Sequence, residues 1–188
     1  GFYTLKGALS QSINTIAVEV LLQTGIDTTI AHARRLGIQS DLPAVPSIAL
    51  GAANIPLKEM VLPYLCYANN GVLTEPYYLV SIKDREGRII YEAEPPRKER
   101  VLPSGEAHLM SSMLTAVIQE GTGKRLINNY GLNMAIAGKT GTTQAAGYCL
   151  IMGERDADGK EYASVVMHAD SRDALYSDMS TIIEKIDR

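Results

Sequence analysis

The sequence contains no tryptophan and a single phenylalanine, so its core must be built from aliphatic side chains and from its ten tyrosines. It has no run of about 18 uncharged apolar residues, and so nothing in it reads as a membrane span. The first ten residues, Gly1 to Ser10, lack a basic stretch followed by an apolar one, which excludes a signal peptide there. Net charge is small, −3, which gives no basic footprint for nucleic acid. Cysteine is scarce too. Cys66 and Cys149 both sit in apolar runs, are too few for a zinc site, and read as buried thiols. His32, His108 and His168 stand apart from one another, with no second ligand at metal-binding spacing. What remains is an ordinary globular composition, 46% hydrophobic and 21% charged over 188 residues, enough for one domain or a large piece of one.

Residues 4–23 carry apolar side chains at three- and four-residue steps, from Leu5 to Leu21, interrupted at Ser10-Gln11-Ser12-Ile13-Asn14-Thr15. Serine and asparagine compete for backbone hydrogen bonds, so this stretch predicts a turn between two helices. Gly25 ends the unit, and Asp27 is expected to cap a helix that closes at Leu36-Gly37. Residues 38–55 read as loop. A helix is expected from Leu57 to Asn69, with a kink at Pro63. Two alternating runs around Arg85-Glu86-Gly87 predict a hairpin over residues 77–92, followed by a polar, proline-bearing excursion. Ser104 opens a further helix with Leu109, Met113, Val117 and Ile118 on its apolar face, closed by Gly121.

Beyond residue 132 the texture changes to short apolar runs bounded by turn residues. Three antiparallel strands are expected, with 147–152 paired to 134–140 and to 161–168, the latter through an Asp158-Gly159 turn. Arg172 to Ile186 is expected to close the chain as an amphipathic helix. The order predicts an α+β fold with helices on one antiparallel sheet. We read residues 1–188 as one partial domain. It is helical over about 1–75 and 104–121, carries a hairpin over 77–92, and ends in strands and a helix over 132–188.

The sharpest local feature is Gly138-Lys139-Thr140-Gly141-Thr142-Thr143. A phosphate-binding loop would need a glycine where Asn133 stands and a helix after the lysine, and neither is present. The alternative is the lysine-threonine-glycine strand of serine acyltransferases that act on D-alanyl-D-alanine. There Lys139 holds a positive charge beside a substrate carboxylate and supports proton transfer, while Thr140 and Thr142 donate hydrogen bonds to it. Gly141, with no side chain, lets a peptide lie along the strand edge. Ser12-Ile13-Asn14 has the serine-x-asparagine form that accompanies this motif. It places a hydroxyl for proton shuttling (Ser12) and an amide for the substrate backbone (Asn14) at a helix break, though helix capping is the commoner use of such residues.

The surrounding stretches ALSQSINTIAVEV, LGIQSDLPAVPSIALGAANIPLKEM, YANNGVLTEPYYLVSIKDREGRIIYE, HLMSSMLTAVIQEGTGKRL and AIAGKTGTTQ resemble, in order and spacing, the transpeptidase domain of class A (bifunctional) penicillin-binding proteins over residues 1–144. The resemblance implies a penicillin-binding, serine β-lactamase-like fold acting on peptidoglycan stem peptides. It implies Ser12 and Lys139 as catalytic residues, and Asn14, Thr140, Gly141 and Thr142 as substrate-binding ones. The Thr142 N–H would contribute to an oxyanion hole. It also implies no metal or organic cofactor, a peptidoglycan stem peptide or β-lactam as partner, and an extracytoplasmic location on a membrane-anchored parent.

Two departures follow. No Ser-x-x-Lys, the family's nucleophile motif, occurs in the sequence. The chain is therefore expected to begin after the nucleophile helix, with an N-terminal segment complementing it. From about residue 138 to 187 the sequence resembles a D-alanyl-D-alanine carboxypeptidase instead, so the chain reads as composite around GKTGTT. The parent reaction implied is DD-transpeptidation. Hydrolysis, as in a carboxypeptidase, and a non-enzymatic binding or scaffold module are the alternatives.

Overall fold

The computed structural model describes residues 2–132, 135–143, 146–155, 158 and 160–186. Thr4 opens the first helix, α1 (Leu5–Ser10), by accepting the Gly7 N–H at 3.1 Å. After three residues, Gln11 to Ile13, the chain re-enters helix as α2 (Asn14–Thr24), so the break falls inside the stretch Ser10–Thr15 where it was expected. Gly25, at φ 92°, both ends α2 and starts α3 (Ile26–Arg35). Asp27 is therefore not the cap expected of it. It lies within the first turn, where its charge still complements the helix N-terminus.

The loop that follows holds a short 3-10 helix, Pro46–Leu50, where only loop was expected. α4 (Leu57–Ala68) contains Pro63 and buries Leu62 and Cys66. Two small antiparallel ladders project next. The expected hairpin is present but paired only between β2 (Ser81–Lys83) and β3 (Ile89–Glu92). The polar excursion is more ordered than its composition suggests. Part of it forms β4 (Lys98–Arg100), which pairs with β1 (Val72–Thr74) across the base of the hairpin. α5 (Ser104–Gln119) starts where expected, but its buried face is Ala107, Leu114, Ala116, Val117 and Ile118. Leu109, read as core, is 62% exposed.

A short helix unforeseen in the sequence, α6 (Arg125–Tyr130), leads into the sheet. β5 (Ile136–Thr143), β6 (Gly147–Arg155) and β7 (Glu161–Ala169) lie antiparallel in that order. Gly138 pairs with Met152 and Thr143 with Gly147, so β6 meets a later part of β5 than expected. Met134 and Gly159, which the expected pairing and turn also used, lie outside the described residues. α7 (Arg172–Ile186) closes the described chain at the expected bounds.

Alternation along the strands sends Ile136, Leu150, Met152 and Val166 to one sheet face. They pack there with Ile118, Leu126, Leu175, Met179 and Ile183 from the helices to form the main core. A smaller cluster, Leu36, Cys66 and Leu102, holds the helical side. The opposite sheet face carries Lys139, Gly141, Cys149 and Ile151 toward Met60 and Tyr64 of α4. Cys149 is half-buried rather than buried as expected, and both cysteines are free thiols. The molecule is thus α+β, helices on an antiparallel sheet. No helix among the described residues is long and apolar enough to cross a membrane.

Candidate active site

Ser12 owes its position to the way α1 ends. Its N–H bonds the Leu9 carbonyl at 3.1 Å, and the Ile13 N–H bonds the Ala8 carbonyl at 3.0 Å. This is a Schellman ending, which needs a left-handed residue in its penultimate place. Ser12 supplies it at φ 55°. α3 ends in the same motif, the Gly37 N–H bonding Arg34 O and the Ile38 N–H bonding Ala33 O, and there the left-handed residue is glycine at φ 98°. A side chain in that conformation costs about 1–2 kcal/mol. At α1 the chain bears that cost and gains a hydroxyl that projects from the turn.

That hydroxyl accepts a hydrogen bond from Lys139 Nζ at 2.8 Å, across 127 residues of sequence. Lys139 stands on β5, an edge strand among the described residues. Its Nζ also donates to the Thr140 carbonyl at 2.6 Å. Burial disfavours the ammonium and pulls the Lys139 pKa below its ordinary value of 10.5. Lysine under this influence gives up its proton more readily than one in water. The preceding Gly138 is required by packing, since a Cβ there would stand 2.6 Å from the Ile151 carbonyl oxygen.

A turn after α5 holds the two motifs together. The Thr122 N–H bonds the Ser10 carbonyl at 3.0 Å, and Gln11 Nε2 donates to the Glu120 carbonyl at 3.2 Å. The Thr122 hydroxyl meets the Thr140 hydroxyl at 2.6 Å. From the far side, the Tyr176 hydroxyl of α7 donates to the Thr122 carbonyl at 2.6 Å. Sequence reading missed Thr122 and Tyr176. Glu120-Gly121-Thr122-Gly123 carried a signal, two glycines hard after a helix, but it points to a tight turn and not to what the turn touches.

The remaining residues singled out in the sequence fall around this centre. Asn14 is exposed at the first position of α2, two residues from Ser12. Gly141 and Thr142 are exposed on β5, and a Cβ built on Gly141 would meet nothing within 4 Å. Space is therefore open beside this position of the strand. A cavity of about 170 Å³ adjoins Lys139 and Gly141, walled by Met60, Tyr64, Ile151 and Met167. A larger hollow of about 380 Å³ lies between α4, α5 and the start of β5, and includes neither Ser12 nor Lys139. Among the described residues, no group of three His, Cys, Asp or Glu is placed to hold a metal ion.

Comparison with known proteins identifies the family of the chain and its fold. The sequence profile of the penicillin binding protein transpeptidase domain matches residues 1–185. Penicillin-binding protein 1A of Aquifex aeolicus is 35% identical over 143 residues, 76% of this chain and 19% of that protein. Penicillin-binding protein 2D of Bacillus subtilis is 34% identical over 149 residues, 76% of this chain and 21% of that protein. The chain thus spans about a fifth of the length of these curated relatives. Among solved structures, penicillin-binding protein 1A from Haemophilus influenzae superposes with a TM-score of 0.76 at 24% identity, over 95% of this chain and 34% of that one. The D,D-transpeptidase domain of a peptidoglycan glycosyltransferase from Eggerthella lenta gives 0.78 at 20% identity, over 98% of this chain and 53% of that one. With a family profile running across nearly all of its residues and the fold to match, the chain belongs to the penicillin-binding protein transpeptidase family.

Proposed function

We propose that this chain supplies the substrate-binding and proton-relay half of a serine DD-transpeptidase that cross-links peptidoglycan, with the nucleophile coming from a Ser-x-x-Lys outside these 188 residues. The observation that carries the reading is the 2.8 Å hydrogen bond from Lys139 to Ser12, which joins the two motifs in one cleft. Such closeness is what proton transfer between them requires.

In the proposed reaction the nucleophile's hydroxyl gives its proton to the lysine of its own Ser-x-x-Lys as its oxygen attacks the carbonyl carbon of the penultimate D-alanine of a stem peptide. A proton passed on through Lys139 replaces the one Ser12 later gives to the leaving amine. The Thr142 N–H helps hold the oxyanion that forms. Lys139 and the hydroxyls of Thr140 and Thr142 hold the terminal carboxylate, and Asn14 bonds the peptide amide. The peptide itself adds along the open edge of β5. The C–N bond then breaks, Ser12 delivers a proton to the leaving amine, and D-alanine departs. An amine from a second stem peptide attacks the acyl-enzyme, releasing the serine with its proton restored. Water in place of that amine gives carboxypeptidase chemistry.

The class A assignment over residues 1–144 draws support from relatives named penicillin-binding protein 1A and 1B; the carboxypeptidase-like reading of about 138 to 187 rests on sequence resemblance alone, and the transpeptidase profile continues to residue 185. Several of the curated relatives align over 76% of the chain. The protein would work outside the cytoplasmic membrane, on an anchored parent, where its substrate is.

Incubation of the parent protein, including the segment that carries the Ser-x-x-Lys, with a fluorescent penicillin tests the reading. One stoichiometric adduct is expected, on a serine outside residues 1–188. Ser12→Ala and Lys139→Ala should each slow labelling by about 10²-fold or more, as loss of an acid–base partner does. Amine and water supplied together to a D-alanyl-D-alanine donor separate cross-linking from hydrolysis. Absence of any adduct would favour the binding or scaffold module instead.

A further inference from the structure

The turn Glu120-Gly121-Thr122 is held from two sides. Thr122 spends its N–H on the Ser10 carbonyl and its carbonyl on the Tyr176 hydroxyl. Gly121 presses so closely on α1 that an added Cβ would stand 2.2 Å from the Ser10 carbonyl oxygen. With its backbone so fixed, the half-buried Thr122 presents its hydroxyl to Thr140 Oγ1 at 2.6 Å. A hydroxyl carries one proton and two lone pairs. Across this contact one threonine donates and the other accepts. If Thr140 donated, its proton would be unavailable to anything in the cleft. If Thr122 donates, Thr140 keeps its own proton for an anion drawn in by the neighbouring Lys139.

Resting on the transpeptidase reading, we propose that Thr122 is a positioning residue for carboxylate recognition. Its hydroxyl donates to Thr140 Oγ1, which turns the Thr140 O–H toward the carboxylate of the substrate or of a penicillin. Tyr176 acts one step further back by holding the Thr122 carbonyl. The C-terminal helix α7 thereby bears on substrate binding although it contributes nothing to the cleft itself. Lys139, which bonds the Thr140 carbonyl from the other side, completes the restraint on this residue of β5.

The test compares a penicillin bearing its free carboxylate with its methyl ester, on the parent protein that includes the nucleophile segment. Thr122→Val keeps the shape and removes the hydroxyl. It should weaken apparent binding of the carboxylate probe about tenfold, the size expected for one hydrogen bond to a charged group. The acylation rate at saturation should change less than twofold, and so should reaction with the ester. Thr122→Ser should stay within about twofold of the parent on both probes. Tyr176→Phe should shift the carboxylate probe in the same direction by a smaller factor, and it carries the test if Thr122→Val fails to fold. Equal losses on both probes, or no loss on either, would overturn the proposal. Independently of any reaction, a crystal structure of Thr122→Val should show Thr140 in a changed χ1 rotamer, and an unchanged rotamer would overturn it. If the parent protein reacts with neither probe, the transpeptidase reading falls by itself, and the Thr140 rotamer still decides whether Thr122 positions it.

Discussion

At the scale of single residues, Ser12 sets stability against chemistry. Glycine in its place would relieve the left-handed backbone strain, less the extra entropy that glycine loses on folding. Ser12→Gly is therefore expected to raise unfolding stability by about 0.5–1 kcal/mol while removing the hydroxyl that meets Lys139. Urea unfolding and penicillin labelling on the same preparation check both halves. A destabilised variant would show that the turn does not strain Ser12. Lys139 makes a second statement about protonation. Its pKa is lowered in the folded state by burial, so burial penalises the ammonium. The penalty is fully present at pH values below the lowered pKa, where both states hold the proton. It shrinks as pH rises through that value toward 10.5, where the unfolded state still binds the proton and the folded state does not. Relative to Lys139→Met, the parent should thus gain stability as pH rises over that window. A stability gap flat with pH would show that the ammonium is not penalised.

Among the elements, the turn after α5 leaves least room for change. Gly121→Ala must push a methyl group into the Ser10 carbonyl and the α5 backbone behind it. Overpacking of this kind costs about 1–3 kcal/mol. The displacement would also fall on the Ser12 turn, so Gly121→Ala should lower both melting temperature and penicillin labelling. Glycine at 105, where an added Cβ meets nothing within 4 Å, is the control, and Gly105→Ala should leave labelling unchanged. This turn also marks where sequence legibility stops. Long periodic elements such as α5 and α7, and the apolar strands β5 to β7, announce themselves because local pattern and tertiary burial agree. The β1–β4 ladder does not, because three polar residues of β4 become a strand only by meeting β1 about 25 residues away. α6, six residues long, is too short for its period to stand out. Ser12 and Lys139 could be singled out, and are found in contact, because each stands in a short motif. Thr122 was not, since its importance lies in which hydroxyl it faces.

On the scale of the whole molecule, the 188 residues hold the proposed relay pair but no Ser-x-x-Lys. An unactivated serine hydroxyl is a poor nucleophile, and no serine here has a lysine three residues on; after Ser12 that place is taken by Thr15. Residues 1–188 prepared alone are therefore expected to form no stable penicillin adduct. Intact-mass measurement decides this, and a stoichiometric adduct on any serine would show that the nucleophile had been misidentified. The β2–β3 hairpin makes a different demand. It is two-stranded, and it exposes Val80 at 65% and Ile90 at 68%. Hairpins of this kind are marginal without a covering partner. Val80→Thr with Ile90→Lys should reduce self-association in sedimentation velocity without altering helix content by circular dichroism, and unchanged sedimentation would clear the hairpin of that part.

The 127 residues between Ser12 and Lys139 have a consequence for how the protein comes into being. Ribosomes add roughly 5–20 residues per second, so the Ser12 turn waits about 6–25 s for its partner to be made. The turn can form at once, because its Schellman bonds are local. The clasp on it cannot, because Thr122, Thr140 and Tyr176 arrive in succession and the last of them stands in α7. A nascent chain stalled before residue 176 would hold both motifs yet lack the tyrosine that anchors their link. Formation of this hydrogen-bonded link is thereby tied to completion of α7, and a chain released before it would carry Ser12 and Lys139 without the Tyr176 anchor.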